Sequence, residues 1–281
     1  MTAGSFAVDI SKHRRGRTSP REDSVAVEEP LEIRLGFTTP DGRATRSISI
    51  TMRTPGHDAD LAAGFLYTES IVHAPDDIAS IDVCGPPAPD SGNHNVIRVE
   101  LKPDVRVDLG RLQRHFYTTS SCGVCGKTSL DALKVIGARP HAATAPAFSE
   151  AMLIALPDRL RAAQRTFDAT GGLHAAGAFD ADGAFAAVRE DVGRHNAVDK
   201  VVGRLLADGR LPASTLGMLV SGRASFELMQ KALVAGMPLL AAVGAPSSLA
   251  VRLAREFNMT LVGFLRGETF NVYAGGERLC P

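Results

Sequence analysis

Two cysteines separated by two residues, Cys122 and Cys125, are the side chains of this chain best suited to covalent chemistry. A glycine follows each of them, and the polar run Thr118-Thr119-Ser120-Ser121 precedes the pair. Glycine permits positive φ values and keeps bulk away from the sulfurs, and a thiolate reacts only where it is accessible. The pattern therefore predicts a loop that presents one sulfur to a partner and holds the other within reach.

Several kinds of chemistry use two cysteines at this spacing. A structural zinc site needs two further ligands, which only Cys84, Cys280 or a histidine such as His115 could supply. Disulfide exchange needs the pair at the start of a helix, and a helix is predicted from near Ser129. In sulfur carriage, one cysteine holds a persulfide and its neighbour expels the sulfur as sulfide, leaving a disulfide. The motif disfavours zinc but leaves exchange and carriage open.

Composition excludes several classes of function. The 281 residues are 44% hydrophobic, which predicts a soluble globular protein with a substantial core. Lys plus Arg equals Asp plus Glu at 31 each, so no overall field attracts nucleic acid or an anionic membrane. No apolar run approaches the ~20 residues of a membrane span. Four cysteines do not make a secreted disulfide framework, so a reducing cytoplasm is the predicted location.

The first third of the chain changes character twice. Residues 1–25 are polar and basic without periodicity, which predicts a mobile tail. Leu31 to Phe37 and Ile48 to Met52 then alternate with polar neighbours around a turn, which predicts a β-hairpin with one buried face. A short helix follows, with Asp58 or Asp60 as a candidate N-cap.

The last third alternates regularly between strands and helices. Apolar strands are predicted at Leu216 to Val220, Leu239 to Val243 and Thr260 to Phe264, with helices at Ser225 to Val234 and Ser248 to Phe257. Strands that are apolar throughout indicate a parallel sheet covered on both faces, whose ligands bind at the carboxyl ends of the strands. We therefore expect a disordered tail over 1–25, a small α+β domain over 26–114 and an α/β domain over 115–281.

Seven stretches together resemble the FdhD family, the formate dehydrogenase accessory sulfurtransferases. They occur in the family's order and cover the chain from about residue 28 to its end. The stretches are Glu29-Pro30-Leu31, Thr54-Pro55-Gly56 with Leu61-Ala62-Ala63-Gly64-Phe65-Leu66, Cys122-Gly123-Val124-Cys125-Gly126, Thr170-Gly171-Gly172-Leu173-His174, Glu190-Asp191-Val192-Gly193-Arg194-His195-Asn196-Ala197-Val198-Asp199-Lys200, Ser221-Gly222-Arg223-Ala224-Ser225-Phe226-Glu227, and Gly263-Phe264-Leu265-Arg266-Gly267.

The resemblance implies a cytoplasmic homodimer that accepts sulfur from a cysteine desulfurase. It implies that the sulfur passes to the molybdenum bis(molybdopterin guanine dinucleotide) cofactor before that cofactor enters formate dehydrogenase. It also implies a C-terminal α/β domain similar to the three-layer cytidine deaminase fold but without its zinc ligands, and hence no metal ion of the protein's own. Carried onto this sequence, Cys122 bears the persulfide and Cys125 is its partner. The family's cofactor-binding stretch is matched by Phe264, Leu265, Arg266, Gly267, Glu268 and Thr269.

The physical character of several residues supports a binding site at the sheet edge. A strand that ends in Arg266-Gly267 places a guanidinium and a small residue where a guanosine phosphate could be held. His195 lies near the start of a predicted helix, whose amides favour anions, and Arg223 precedes another helix. For each of these residues, capping or a surface ion pair is the competing interpretation. The same expectation extends to His174, Asn196, Asp199 and Lys200.

Two hypotheses compete with a sulfurtransferase. In the first, the protein is a cofactor-binding chaperone whose cysteines only shape a loop. In the second, it is a general thiol-disulfide oxidoreductase, which would act on unrelated disulfides and carry no persulfide.

Overall fold

The computed structural model describes residues 4–89, 91–107, 139–142 and 147–281. The helices within them are α1 (Asp58–Thr68), α2 (Glu150–Ala163), α3 (Arg165–Thr170), α4 (Arg194–Ala207), α5 (Phe226–Val234) and α6 (Ser248–Glu256). The strands are β1 (Ser5–Arg14), β2 (Arg17–Ala26), β3 (Glu29–Thr39), β4 (Gly42–Arg53), β5 (Ile78–Pro87), β6 (His94–Leu101), β7 (Phe148–Ser149), β8 (His174–Phe179), β9 (Phe185–Asp191), β10 (Gly217–Val220), β11 (Leu239–Ala242), β12 (Thr260–Arg266), β13 (Thr269–Ala274) and β14 (Leu279–Cys280).

A six-stranded sheet with the order β13-β12-β11-β10-β8-β9 is the largest sheet of the described residues. Its strands β10, β11 and β12 are parallel, as their apolar sequences predict. Strands β9 and β13 are antiparallel to β8 and β12 because short turns join them. Strand β8 is also antiparallel to β10, which the chain reaches from β9 through α4. The sheet is therefore mixed, with a parallel centre and antiparallel edges.

Side chains of the central strands alternate between two packed layers. Met218 and Val220 face the layer of α4, α5 and α6, whereas Leu219 faces the layer of α2. Helices therefore cover both faces of the sheet, which confirms the predicted α/β class. The likeness to the cytidine deaminase fold stays a prediction.

The smaller sheet, β4-β3-β6-β5, packs with α1 against the large sheet's helices and shares one core with them. Helix α1, which packs on the smaller sheet, crosses α4 of the large sheet's helix layer at close distance. At this crossing, Gly64 lies against the backbone of Asp199, and Gly203 lies against the backbone of Asp60. Two helices approach this closely only where neither carries a side chain at the contact. The boundary predicted at 114/115 lies outside the described residues.

The segment predicted to form a mobile tail is a β-hairpin in the structure. Strands β1 and β2 pair along their whole length, and Arg15 and Gly16 form the turn with positive φ at both positions. The base of the hairpin is fixed by a hydrogen bond from Val27 N to Gly4 O and by packing on α3. Most of its side chains are exposed on both faces, so no burial period marks the strands in the sequence.

The predicted hairpin of β3 and β4 is present, but part of its predicted buried face is wrong. A bulge opposite Ile33 and Arg34 shifts the phase of β4 by one residue. Ile50 and Met52 are consequently 64% and 47% exposed, while Arg53 turns inward and is fully buried.

Two helix starts also differ from prediction. The N-cap of α1 is His57 rather than Asp58 or Asp60. Because proline is favoured in a first helical turn, the sequence predicts a helix from Pro157 to Phe167. Helix α2 instead begins after Ser149, whose hydroxyl accepts from Met152 N, so Pro157 lies inside it. No helix of the described ranges is long and apolar enough to cross a membrane.

The α1–α4 crossing yields a stability prediction. Gly64→Ala and Gly203→Ala would each place a methyl group against a backbone carbonyl of the other helix. We expect each to lower the free energy of unfolding by about 3 kcal/mol, because a packed backbone contact cannot expand locally. Urea unfolding measures the loss, and Gly276→Ala is the control, since its Cβ would lie 3.6 Å from Val272 Cγ1, an ordinary contact. Losses equal to the control would contradict the close crossing.

Candidate functional site

The predicted reactive cysteines, Cys122 and Cys125, lie outside the described residues, as does the helix predicted from Ser129. The predicted binding residues fall within the described part of the chain. They lie along one edge of the large sheet, where the parallel strands end.

This edge, which we call the rim, is formed by His174, Ser221–Arg223, Gly244, Phe264–Thr269 and the first residues of α4. The backbone connects neighbouring strand ends. Ser221 N donates to Ala175 O at 2.9 Å, Gly244 N to Gly222 O at 2.9 Å, and Phe264 N to Gly244 O at 3.1 Å. Since neighbouring strands are about 4.8 Å apart, the row from β8 to β12 spans about 14 Å.

One end of the rim holds a cluster of ionisable side chains. His195 Nε2 lies 2.7 Å from Glu227 Oε2, and this contact lowers the pKa of the Glu227 carboxyl below its ordinary value. Burial, together with Arg194 and His195, lowers the pKa of His174. The His174 imidazole is therefore neutral near pH 7, and the fixed positive charge here belongs to Arg194. Among the described residues, Arg194 Nε is a buried nitrogen without a hydrogen-bond partner.

The middle of the rim depends on two glycines. A Cβ on Gly222 would lie 3.5 Å from His174 Nδ1, and a Cβ on Gly244 would lie 3.1 Å from Cα and Cγ of Arg223. The exposed Arg223 side chain therefore runs across the bare backbone of Gly244. Small residues at these strand ends keep the rim open to a ligand.

The other end of the rim is the turn between β12 and β13. Phe264 has a φ of +54°, which strains a bulky side chain, and its hydrogen bond to Gly244 O holds it there. The Arg266 guanidinium lies 5.8 Å from the centre of the Phe264 ring. The Leu265 side chain is fully buried in the core, so only its backbone is available to a ligand. The exposed residues of this turn are Arg266, Gly267, Glu268 and Thr269.

Three helices begin at the rim. Ser225 caps α5 through Leu228 N, Ser247 caps α6 through Ala250 N, and α4 begins directly after Gly193. Helix N-termini carry partial positive charge and free amides, so they favour anions. With the arginines, they make the rim suited to phosphate groups.

A comparison of the sequence with models of protein families identifies the family of this chain. The FdhD/NarQ family model matches residues 26–280, nearly the whole chain. The chain belongs to the FdhD/NarQ family. It is 54% identical to the sulfur carrier protein FdhD of Streptomyces coelicolor over 272 residues, covering 96% of this chain and 94% of that protein. It is 49% identical to the sulfur carrier protein FdhD of Mycobacterium tuberculosis over 263 residues, covering 92% of each chain.

The fold has a solved counterpart. A crystal structure of a formate dehydrogenase accessory protein from Desulfotalea psychrophila matches with a TM-score of 0.74 and 24% identity, covering 99% of this chain and all of that one. This likeness concerns the fold alone.

The structure brings most binding residues predicted from the sequence to one edge. His195, Arg223 and the stretch Phe264–Thr269 all lie at the rim. Three residues weighed for the same role, Asn196, Asp199 and Lys200, are instead buried, where they contact other protein groups. Arg194, Glu227 and Gly244 are not predicted individually, although a glycine one or two residues after each parallel strand is a signal that could have located the rim.

The described residues do not gather a metal site. No three His, Cys, Asp or Glu side chains among them converge in a way that could hold a metal ion. Cys84 and Cys280 lie on β5 and β14, in different sheets, and both are free thiols.

The environment of His174 predicts a pH dependence of stability. An unfolded His174 binds a proton below its ordinary pKa of 6.5, whereas the folded residue binds one only at lower pH, so unfolding is favoured as the pH falls through 6.5. We expect the free energy of unfolding to fall between about pH 7.5 and about pH 5.5, and to fall less in His174→Gln. Part of the decrease in the free energy of unfolding remains in His174→Gln, because burial also lowers the pKa of His57 and His141. Urea unfolding at the two pH values checks this, and an equal loss in both proteins would contradict it.

Proposed function

We propose that this protein is a sulfur carrier that takes sulfur from a cysteine desulfurase onto Cys122. It passes that sulfur to the molybdenum bis(molybdopterin guanine dinucleotide) cofactor, which formate dehydrogenase requires for activity. The observation that carries the proposal is the 54% identity over nearly the full chain to a sulfur carrier protein FdhD, in a sequence that contains Cys122-Gly-Val-Cys125. We also propose a cytoplasmic homodimer, following the family resemblance.

The sulfur steps balance with two thiols. The Cys122 thiolate attacks the outer sulfur of the desulfurase persulfide, so a new S–S bond forms on Cys122 and the desulfurase cysteine leaves as a thiolate. In the second step, the Cys125 thiolate attacks the inner sulfur of the Cys122 persulfide. The outer sulfur leaves as hydrosulfide for the acceptor, and a Cys122–Cys125 disulfide remains. A cellular thiol reductant then restores the pair for the next cycle.

The geometry of the rim supports a nucleotide-bearing acceptor. Arg194, Arg223 and Arg266 place positive charge along an edge about 14 Å long, and helix N-termini add free amides. Guanidinium groups bind phosphate oxygens through paired hydrogen bonds. The Phe264 ring beside Arg266 offers a flat apolar surface for a base.

Mass spectrometry tests the sulfur-carrier proposal. After incubation with a cysteine desulfurase and cysteine, the wild-type peptide containing Cys122 should gain one sulfur atom. Cys122→Ala should lose this loading and reduce the maturation of formate dehydrogenase at least about 100-fold, since it removes the nucleophile. Cys84→Ala and Cys280→Ala are matched controls that should load normally.

The outcomes separate the three hypotheses. Full maturation by a protein with both Cys122→Ser and Cys125→Ser would refute the carrier and favour the cofactor-binding chaperone. Rapid turnover of unrelated disulfides without any added sulfur would favour the oxidoreductase.

Guanosine diphosphate is a simple probe of the rim. Isothermal titration calorimetry should detect binding to the wild type, and Arg223→Ala and Arg266→Ala should each raise the Kd about 10-fold or more, because charged hydrogen bonds to phosphate are lost. Arg98→Ala is the control, since Arg98 lies on the smaller sheet and pairs with Glu100. Equal affinity in all four proteins would show that the nucleotide binds elsewhere.

A further inference from the structure

The carboxylate of Asp191, at the end of β9, is fully buried yet fully bonded. Its Oδ1 accepts from Gly193 N at 2.8 Å and from Asn196 Nδ2 at 3.0 Å. Its Oδ2 accepts from Thr54 N at 3.2 Å and lies 2.7 Å from Lys200 Nζ. A buried carboxylate persists only with partners of this kind, so the arrangement around it is tightly determined.

The partners of Asp191 tie two parts of the chain together. Thr54 belongs to the segment between β4 of the smaller sheet and α1. Lys200 Nζ donates to Thr54 O at 2.8 Å, and Thr54 Oγ1 accepts from Val192 N at 3.2 Å. Asn196 adds a bond from its Nδ2 to Met52 O at 2.8 Å. The end of β4 is thereby bonded to the turn that begins α4.

This turn carries the charged end of the rim. Helix α4 has Gly193 at its N-cap position, with no side chain of its own to cap it, and Arg194 and His195 follow directly. Asp191 binds the Gly193 amide and so fixes the point from which these two side chains leave the backbone. Asp191 is also the β-ladder partner of His174. One buried carboxylate thus sets the placement of Arg194 and His195 without lying on the rim.

We propose that Asp191, with Lys200, is a positioning residue that holds the start of α4 in the geometry that binds the acceptor's phosphate groups. This inference rests on the proposed function for its ligand. Asp191 itself acts only through Arg194 and His195. Because a small displacement of a binding group costs a large factor in affinity, loss of this carboxylate should weaken phosphate binding beyond its effect on stability.

The chain offers a matched control in a second buried Asp–Lys pair. Lys231 Nζ lies 2.8 and 2.9 Å from the two carboxylate oxygens of Asp199 and donates to Thr68 Oγ1 at 3.0 Å. This pair connects α4 with α5 and α1, as the first pair connects α4 with the end of β4. It differs in that it makes no contact with the Val192–Gly193 turn.

The test compares two double variants, Asp191→Asn with Lys200→Met and Asp199→Asn with Lys231→Met. Removing both charges avoids an unpaired buried charge, so both proteins should fold. We expect the first to raise the Kd for guanosine diphosphate about 10- to 100-fold and the second to change it less than about 3-fold, at a temperature where both are folded. Melting temperatures of both variants are measured so that affinity is compared at matched stability.

Amide hydrogen exchange supplies a readout that needs no ligand. The amides of Thr54 and Gly193 both donate to Asp191, so they should exchange at least about 10-fold faster in the first variant but not in the second. Equal nucleotide affinity in the two variants, or unchanged exchange of these amides, would overturn the positioning role. If the wild type binds no guanosine diphosphate, the nucleotide part of the proposed function fails, and the exchange of the two amides alone decides the role of Asp191.

Discussion

Close packing of α4 against α1 and the end of β4 joins the smaller sheet to the large one. Glycines let α1 and α4 meet at backbone distance, and this contact brings the end of β4 beside the turn that starts α4. The buried charged side chains of α4 form hydrogen bonds with residues that are distant in sequence. Lys200 binds Thr54, which precedes α1, and Asp199 binds Thr68, the last residue of α1. The position of the charged end of the rim follows from this packing.

The sequence predicts the central fold well because its signals there are local. Apolar strands separated by amphipathic helices that start at a serine locate β10 to β12, α5 and α6 to within two residues. The prediction is wrong where structure depends on distant or subtle features. The bulge in β4 that exposes Ile50 and Met52 leaves no trace in the alternation, and the exposed ribbon of β1 and β2 has no buried face to create one.

The candidate site also has residues whose position the sequence predicts and residues whose position it does not. Arg223 and Arg266 are predictable because each follows an apolar strand, and strand ends meet at one edge whatever else the fold does. Asn196, Asp199 and Lys200 share the helix of His195, and sequence alone cannot say which of its faces is covered. Their hydrogen bonds to Met52, Thr68 and Thr54 turn them into the supports of the rim rather than its lining. Charged residues near a helix start therefore indicate a site more reliably than they indicate which residues touch the ligand.

The proposed function requires that sulfur moves from this protein to a second molecule. The most direct measurement follows radiolabelled sulfur from the loaded protein to the isolated molybdenum cofactor in a single turnover. We predict that the label leaves the protein and appears on the cofactor in an amount close to one sulfur per loaded Cys122. Label that remains on the protein, or that is released only as free sulfide while the cofactor gains none, would contradict sulfur transfer to the cofactor.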